Sequence, residues 1–160
     1  MIRRLTLSTL VAVAGLAVLA SSAAAKGGPR LNGSFDVVAT IHANDFGVPD
    51  GTTTNDIYKF KSTCKSGGCK TVDLDRDGGD GSHYKSTLSR TEPGVYDGVE
   101  GPEPYACIGN DEATFTAEHH IEVTKAKRGK AKKIGGTTEI SISGCGGLTF
   151  VDYTLAGKRS

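Results

Sequence analysis

The sequence predicts an all-β fold, an up-and-down barrel of roughly eight antiparallel strands, and three observations support this prediction. Apolar and polar residues alternate at period two in several segments, as they do on half-buried strands. The 160-residue chain contains 22 glycines and shows no helical periodicity, which favours strands and turns. The connections are mostly short, and closure into a barrel removes the exposed edges of such a sheet. A two-sheet sandwich of the immunoglobulin kind is the alternative, although the chain lacks tryptophan and a Cys–Trp–Cys spacing.

The clearest strand runs from Glu112 to Thr124, where the alternation is unbroken. One parity is mainly apolar and is predicted to face the barrel interior, and the other is polar and is predicted to face solvent. The interior set is Ala113, Phe115, Ala117, His119, Ile121 and Val123. His120 belongs to the solvent face, between two glutamates.

The remaining strands follow from shorter copies of this pattern. The predicted ranges are 33–42, 57–64, 69–75, 83–90, 94–98 with a resumption at 105–109, 134–143 and 148–155. A long loop, Ala43 to Asp56, separates the first two strands, and RDGGDGS is predicted as a turn after the third.

Residues 1–25 resemble a secretory signal peptide. Arg3 and Arg4 precede an apolar run, and small residues end it at Ala23 to Ala25. The run is short for a membrane anchor, which is the alternative. We therefore expect residues 26–160 to form a single domain, secreted or periplasmic, with no membrane span in the mature chain. Loss of Arg3 and Arg4 takes the formal net charge from +1 to −1, which gives no overall attraction to nucleic acid.

Four cysteines lie in the predicted mature chain, and an even number in an exported protein favours two disulfides. Three pairings are possible. The short KSGG spacer favours Cys64–Cys69, which leaves Cys107–Cys145. A zinc site is the alternative, but the spacings do not repeat as metal knuckles do.

The two ends of the domain show a family resemblance. Gly33-Ser34-Phe35 opens the first strand and Arg159 follows the last, and this arrangement resembles the signature of lipocalins and the wider calycin group. In that family a tryptophan, here replaced by Phe35, packs under the arginine at the barrel floor. The resemblance implies a cup that binds a small apolar molecule, or a related secreted inhibitor, without a cofactor.

The interior parity of the predicted barrel supplies the candidate ligand contacts. They are Phe35, Val37, Tyr58, Phe60, Leu88, Phe115, His119, Ile140 and Tyr153. His119 is also interpretable as a hydrogen-bonded core histidine or as a metal ligand.

Residues 73–81, DLDRDGGDG, carry alternate acids before glycines and resemble the first half of a calcium loop. The candidate ligands are Asp73, Asp75, Asp77 and Asp80. The closing bidentate acid is missing, because the twelfth position from Asp73 is Tyr84. A solvated turn is the alternative, and a calcium-stabilised structural domain is the function that the calcium interpretation predicts.

Residues 125–133, KAKRGKAKK, are predicted to form a basic hairpin connection. Its cations are Lys125, Lys127, Arg128, Lys130, Lys132 and Lys133. An anionic polymer is a candidate partner, and nucleic acid is not expected because no aromatic residues interleave. The alternative is a solubilising loop.

No motif of an activated nucleophile or a metal hydrolase is present, neither G-x-S-x-G nor H-E-x-x-H. We therefore expect a binding protein rather than an enzyme. An interaction module or inhibitor that acts through the Ala43 to Asp56 loop or the basic hairpin is the main alternative to a ligand cup.

Overall fold

A computed structural model describes residues 28–79, 81–107, 110–144 and 147–160, and these residues form a closed eight-stranded antiparallel barrel. Each strand pairs with its neighbours in the sequence, and the first strand closes the barrel against the last. The strands are β1 (Gly33–Asn44), β2 (Thr53–Ser62), β3 (Thr71–Asp77), β4 (His83–Glu92), β5 (Val95–Cys107), β6 (Asn110–Lys127), β7 (Lys130–Ser143) and β8 (Leu148–Arg159). The predicted all-β barrel is confirmed.

The described part of the chain contains no helix long and apolar enough to cross a membrane. The predicted signal peptide, residues 1–25, lies outside the described residues.

The barrel has two unlike ends, which we call the closed end and the open end. The closed end holds the first residues of β1, the segment 28–32 and the turn between β6 and β7. The open end holds the connection 45–52 between β1 and β2 and the first residues of β4, β6 and β8. An up-and-down barrel places alternate connections at opposite ends, so each end is built from a different set of loops.

The closed half of the barrel is packed with apolar side chains. The core cluster includes Phe35, Phe60, Leu74, Leu88 and Ile121, all of them buried. Leu31, from the segment before β1, is fully buried in the same cluster. These side chains come from alternate positions of their strands, as expected when one face of each strand points into a barrel.

The predicted interruption of the fifth strand is wrong, because β5 continues from Val95 to Cys107 despite two prolines. The strand keeps its pairing with β6 through register shifts between Glu100 and Glu103 and again before Cys107. Gly101 lies at the first shift with φ 93°, and a Cβ there would lie 2.6 Å from the carbonyl oxygen of Phe115. Only glycine fits this conformation and close approach.

Three predicted connections are also shorter than expected, because the strands continue into them. β1 and β2 reduce the Ala43 to Asp56 loop to residues 45–52. β3 continues through Asp77, so the predicted turn begins later. β6 and β7 extend through the basic segment until only Arg128 and Gly129 connect them. Tertiary pairing of charged strands overrides their low β-propensity here.

One seam of the barrel is incompletely paired. β4 pairs with β5 at Ser89–Asp97, Arg90–Tyr96 and Glu92–Val95. Towards the open end, the described residues of these two strands no longer form cross-strand pairs. Val99, on the β5 side of this seam, is 56% exposed. Side chains rather than a backbone ladder must therefore hold the upper part of the seam.

The Cys64–Cys69 disulfide is confirmed, and it closes the connection between β2 and β3 at the closed end. Cys69 is buried in the apolar core. The predicted Cys107–Cys145 bridge lies outside the described residues, since neither the Cys107 side chain nor Cys145 is among them.

Candidate ligand-binding site

A cavity of about 320 Å³ occupies the open half of the barrel. Its wall is mostly apolar and aromatic, and it is built from inward-facing side chains near the open ends of the strands. The wall includes Ile41, Tyr84, Phe115, Ile140, Ile142, Val151 and Tyr153. Pockets for small molecules begin at about 300 Å³ and combine apolar walls with a few fixed polar groups.

The connection 45–52 reaches over the mouth of this cavity. Phe46 and Val48 line it, although they remain 46% and 37% exposed to solvent. Asn44 fixes the loop, because its Oδ1 accepts hydrogen bonds from the backbone nitrogens of Phe46 and Val48, each at 3.0 Å. Its Nδ2 donates to the Val48 carbonyl oxygen at 2.7 Å. One side chain therefore sets the position of both apolar lid residues.

A network of buried charged residues lies at the base of the cavity. Arg76, on the inward parity of β3, donates from Nη2 to Oε1 of Glu100 at 2.8 Å. Its Nη1 lies 3.8 Å from Oδ2 of Asp56. Asp56 also accepts a hydrogen bond on Oδ1 from the backbone nitrogen of Gly79 at 3.1 Å. The guanidinium carbon lies 4.6 Å from the centre of the Tyr84 ring, a cation–π distance.

His119 continues the network into the barrel. Its Nε2 lies 3.2 Å from Oε2 of Glu100, and its Nδ1 lies 3.0 Å from Oγ1 of Thr138. Because an ionised carboxylate only accepts, Nε2 is the donor to Glu100. Glu100 thus receives hydrogen bonds from both β3 and β6, on either side of the incompletely paired β4–β5 seam.

Burial and hydrogen bonding act in opposite directions on these groups. Burial tends to raise the pKa of Glu100, but hydrogen bonds from His119 and Arg76 outweigh it and the pKa lies below its ordinary value. Burial opposes the charge of Arg76, yet the hydrogen bond to Glu100 raises the pKa of the guanidinium. Burial also raises the pKa of Tyr58 to about 12. The Arg76–Glu100 pair is therefore ionised and the Tyr58 hydroxyl neutral at neutral pH.

One donor of this network is unused. Arg76 Nε is buried and has no hydrogen-bond partner within the part of the chain that the structure describes. Arg76 also lines the cavity, as do Asp56 and Tyr58. A buried donor without an acceptor is costly, by about 1–3 kcal/mol.

The predicted ligand contacts divide between the two halves of the barrel. Four of them line the cavity: Tyr58, Phe115, Ile140 and Tyr153. The others lie deeper, with Phe35, Val37, Phe60 and Leu88 in the packed core and His119 in the buried network. The sequence correctly places all nine on the inner face but does not show that apolar side chains fill the closed half.

Sequence reasoning missed Arg76, Glu100 and Asp56. For two of them the alternation gave a sign. Arg76 has the same parity as the inward-facing Val72 and Leu74, and Asp56 has the same parity as the inward-facing Tyr58. A charged residue on an inward parity was therefore the available sign of a buried polar site. Glu100 had no such sign, because prolines obscured the strand that carries it.

The predicted calcium ligands do not form a curved loop. Asp73, Asp75 and Asp77 are alternate residues of β3, and alternate residues of a strand lie about 6.6–7 Å apart. Asp77 is already paired with the Lys59 ammonium and with His83 Nδ1, the latter at 2.6 Å. Asp75, Asp77 and His83 hold three potential ligand atoms within 4.8 Å. Asp80 lies outside the described residues.

Comparisons with protein-family models, with curated proteins and with solved structures found no match for this chain.

Proposed function

We propose that this protein is a non-catalytic carrier or receptor for one small molecule, which it holds in the open half of the barrel. The observation that carries the proposal is the cavity of about 320 Å³ with an apolar wall and a charged base. Buried ion pairs rarely add stability over apolar packing. The charged network at the base of the cavity is therefore better explained by ligand binding than by a contribution to folding.

The chemistry of the cavity defines the ligand class. An apolar or aromatic body of modest size fits the wall of Ile41, Phe115, Ile142 and Val151. A hydrogen-bond acceptor on the ligand, such as a carbonyl, hydroxyl or acidic oxygen, would satisfy Arg76 Nε. The ligand is therefore an amphipathic molecule bound with its polar group inward.

Binding without chemistry is the better interpretation of the site. His119 and Glu100, the pair suited to proton transfer, are both buried beneath the cavity and do not line it. A general acid or base must come within hydrogen-bond reach of the reacting group. Their hydrogen bonds to Thr138 and Arg76 instead suit a fixed base for the ligand.

The resemblance to lipocalins and the wider calycin group agrees with this proposal. Phe35 and Arg159 are cross-strand neighbours between β1 and β8, and Arg159 Nη1 donates to the Asn32 carbonyl oxygen at 2.9 Å. An aromatic residue and an arginine thus lie together at the closed end. The apolar start of the chain and the Cys64–Cys69 disulfide favour an exported protein.

Titration with Nile red, a neutral apolar dye, tests the cavity directly. We expect saturable fluorescence enhancement with one dye per protein in the wild type. Ile140→Trp places a large side chain in the cavity wall and should abolish it. Val99→Trp is the matched control, because it adds the same indole to an exposed position. Native mass spectrometry of the purified protein would detect a retained ligand.

Equal dye binding by the two tryptophan variants would place the dye on the surface and contradict the proposal. The proposal would also be contradicted if the wild type neither bound the dye nor retained a small molecule in native mass spectrometry. Arg76→Met should weaken the binding of Nile red, whose ring carbonyl is an acceptor, more than the binding of naphthalene, a hydrocarbon, because only the former can accept a hydrogen bond from Nε.

A further inference from the structure

We propose that the closed end of the barrel is a docking surface for a linear anionic polysaccharide. This inference is independent of the ligand cavity. It rests on a row of facing lysines, on the conformation of one arginine and on the separation of charge along the barrel.

Three lysines face one another across three adjacent strands. Lys125 of β6 is the cross-strand partner of Lys133 of β7, and Lys133 is the partner of Lys158 of β8. Adjacent strands lie about 4.8 Å apart, so the row spans about 10 Å. Like charges directly opposite each other destabilise a sheet. Asp36 of β1 is the other cross-strand partner of Lys158, but within the described part of the chain none of the three lysines lies within 4.0 Å of a carboxylate. The charge of Lys125 and Lys133 in particular is therefore available to a partner.

The turn of the same hairpin has a second feature that is unfavourable for stability, an arginine with positive φ. Lys127 and Lys130 pair, and Arg128 and Gly129 form the two-residue connection between them. Both central residues have positive φ, 53° for Arg128 and 72° for Gly129. Asparagine or glycine is preferred in such turns, and a long side chain there is unfavourable. The hairpin thus keeps a cation where stability favours asparagine.

The hairpin is also held rigidly against the body of the protein. Arg30 N donates to the Gly129 carbonyl oxygen at 2.8 Å, and Ala131 N donates to the Arg30 carbonyl oxygen at 2.9 Å. Ala131 is fully buried in the main core. A surface that is ordered before binding loses less conformational entropy on association.

Charge is segregated between the two ends. The described residues at the open end, 45–52, 78–79, 81–82, 101–107, 110–113, 143–144 and 147–150, contain no lysine or arginine. The closed end adds Lys65 and Lys70 to the hairpin cations and Lys158. The barrel therefore carries an electrostatic dipole, which orients it on an anionic surface with the closed end inward.

The surroundings of the lysines distinguish among anionic partners. The most exposed large apolar residues, Leu148, Val99 and Phe46, lie at the open end or on the β4–β5 seam. Ile57 and Val38 are the exposed apolar residues nearer to the lysine row, and β1 separates Ile57 from Lys158. Insertion into a lipid interface needs such residues, and single-stranded nucleic acid needs aromatic stacking. Lysines act as adaptable point charges, and they suit the spaced sulfate or carboxylate groups of a polysaccharide.

Heparin, a sulfated polysaccharide, is the probe for this surface. We expect binding that weakens with salt, and the triple variant Lys125→Gln/Lys133→Gln/Lys158→Gln should bind at least about tenfold more weakly. The salt slope should fall by about 2–3, one unit for each lost contact. Lys85→Gln is the matched control, because Lys85 is an exposed strand lysine outside the closed end, and it should retain the wild-type affinity.

A second readout separates docking from folding. Arg128→Asn and the triple variant should both unfold at the wild-type temperature or higher, because each removes an unfavourable feature, while heparin binding weakens. Loss of affinity no greater than that of Lys85→Gln would overturn the proposal. So would equal or tighter binding to duplex DNA or to phosphatidylglycerol vesicles at the same salt concentration.

Discussion

Replacing Glu100 with glutamine tests whether the buried network holds the open half of the barrel together. The side chain of Glu100 is 1% exposed and that of Arg76 is 9% exposed, with the paired atoms 2.8 Å apart. Solvent therefore screens this pair little. Removing one partner of a buried pair costs about 3–5 kcal/mol, because the other charge is left uncompensated.

Glutamine retains a carbonyl oxygen for Arg76 Nη2, so we expect a loss near the lower limit, about 3 kcal/mol of unfolding free energy. For a domain of this size the melting temperature should fall by about 9–15 °C. Glu139→Gln, at an exposed position of β7, is the control and should change stability by less than about 0.5 kcal/mol.

A double-mutant cycle isolates the interaction. Arg76→Met alone leaves the Glu100 carboxylate without its cation, whereas the double variant Arg76→Met/Glu100→Gln leaves no buried charge on either residue. The summed losses of the single variants should exceed the loss of the double variant by about 1–3 kcal/mol. Urea unfolding followed by circular dichroism and tyrosine fluorescence measures each value, since the chain has no tryptophan.

The pH dependence gives the same test a second readout. The pKa of Glu100 is held below its ordinary value by His119 and Arg76 although burial opposes this. The unfolded chain therefore binds a proton at Glu100 more tightly than the folded chain does. The stability that Glu100 contributes is fully present above the ordinary glutamate pKa of about 4.3, and it is lost as the pH falls through the lower pKa of the folded state. The Glu100→Gln variant should lose less stability over this acidic range.

Hydrogen exchange locates the effect. In Glu100→Gln the amides of β4 and β5 near the incompletely paired seam should exchange faster, while those of β7 and β8 should change only as global stability changes. A stability loss below about 1 kcal/mol, or additive single losses in the cycle, would refute the view that this network joins the seam.

Three further predictions concern other parts of the fold. Replacing Cys64 with serine and Cys69 with alanine should cost about 2 kcal/mol, as the chain-entropy model gives for a loop this short, in urea unfolding without reductant; unchanged stability would contradict this. Leu88→Ala should lower the free energy of unfolding by about 2–5 kcal/mol, because Leu88 is fully buried. The control Val99→Ala, at the exposed seam, should change it by less than about 0.5 kcal/mol. Comparable losses in the two variants would refute the packed closed half. In alkaline absorbance titrations one tyrosine should ionise near pH 12, and Tyr58→Phe should remove that step.

Much of the barrel follows from the sequence because period-two alternation specifies both a strand and its inner face. Phe115 and Ile121 are buried as the parity of the sixth strand predicts. The boundaries were less predictable, because pairing with neighbours extends strands through residues of low β-propensity. The prolines near Glu103 and the lysines around Arg128 are the clearest examples.

The candidate site was only half predictable. Parity correctly assigns Tyr58 and Tyr153 to the inside, and both line the cavity. It does not show how far the core fills the barrel, because this depends on how side chains from eight strands interdigitate. It also missed Arg76, because the following glycines suggested a turn and local turn signals outweighed the inward parity.

Because the β4–β5 seam is unpaired towards the open end, the open end of this barrel is not a continuous hydrogen-bonded ring. A fully hydrogen-bonded barrel has a circumference fixed by its strand number and shear. Here the rim can widen if the Arg76–Glu100 ion pair and the Tyr84–Phe115 ring contact separate, and no cross-strand pair between the described residues of those two strand segments has to break.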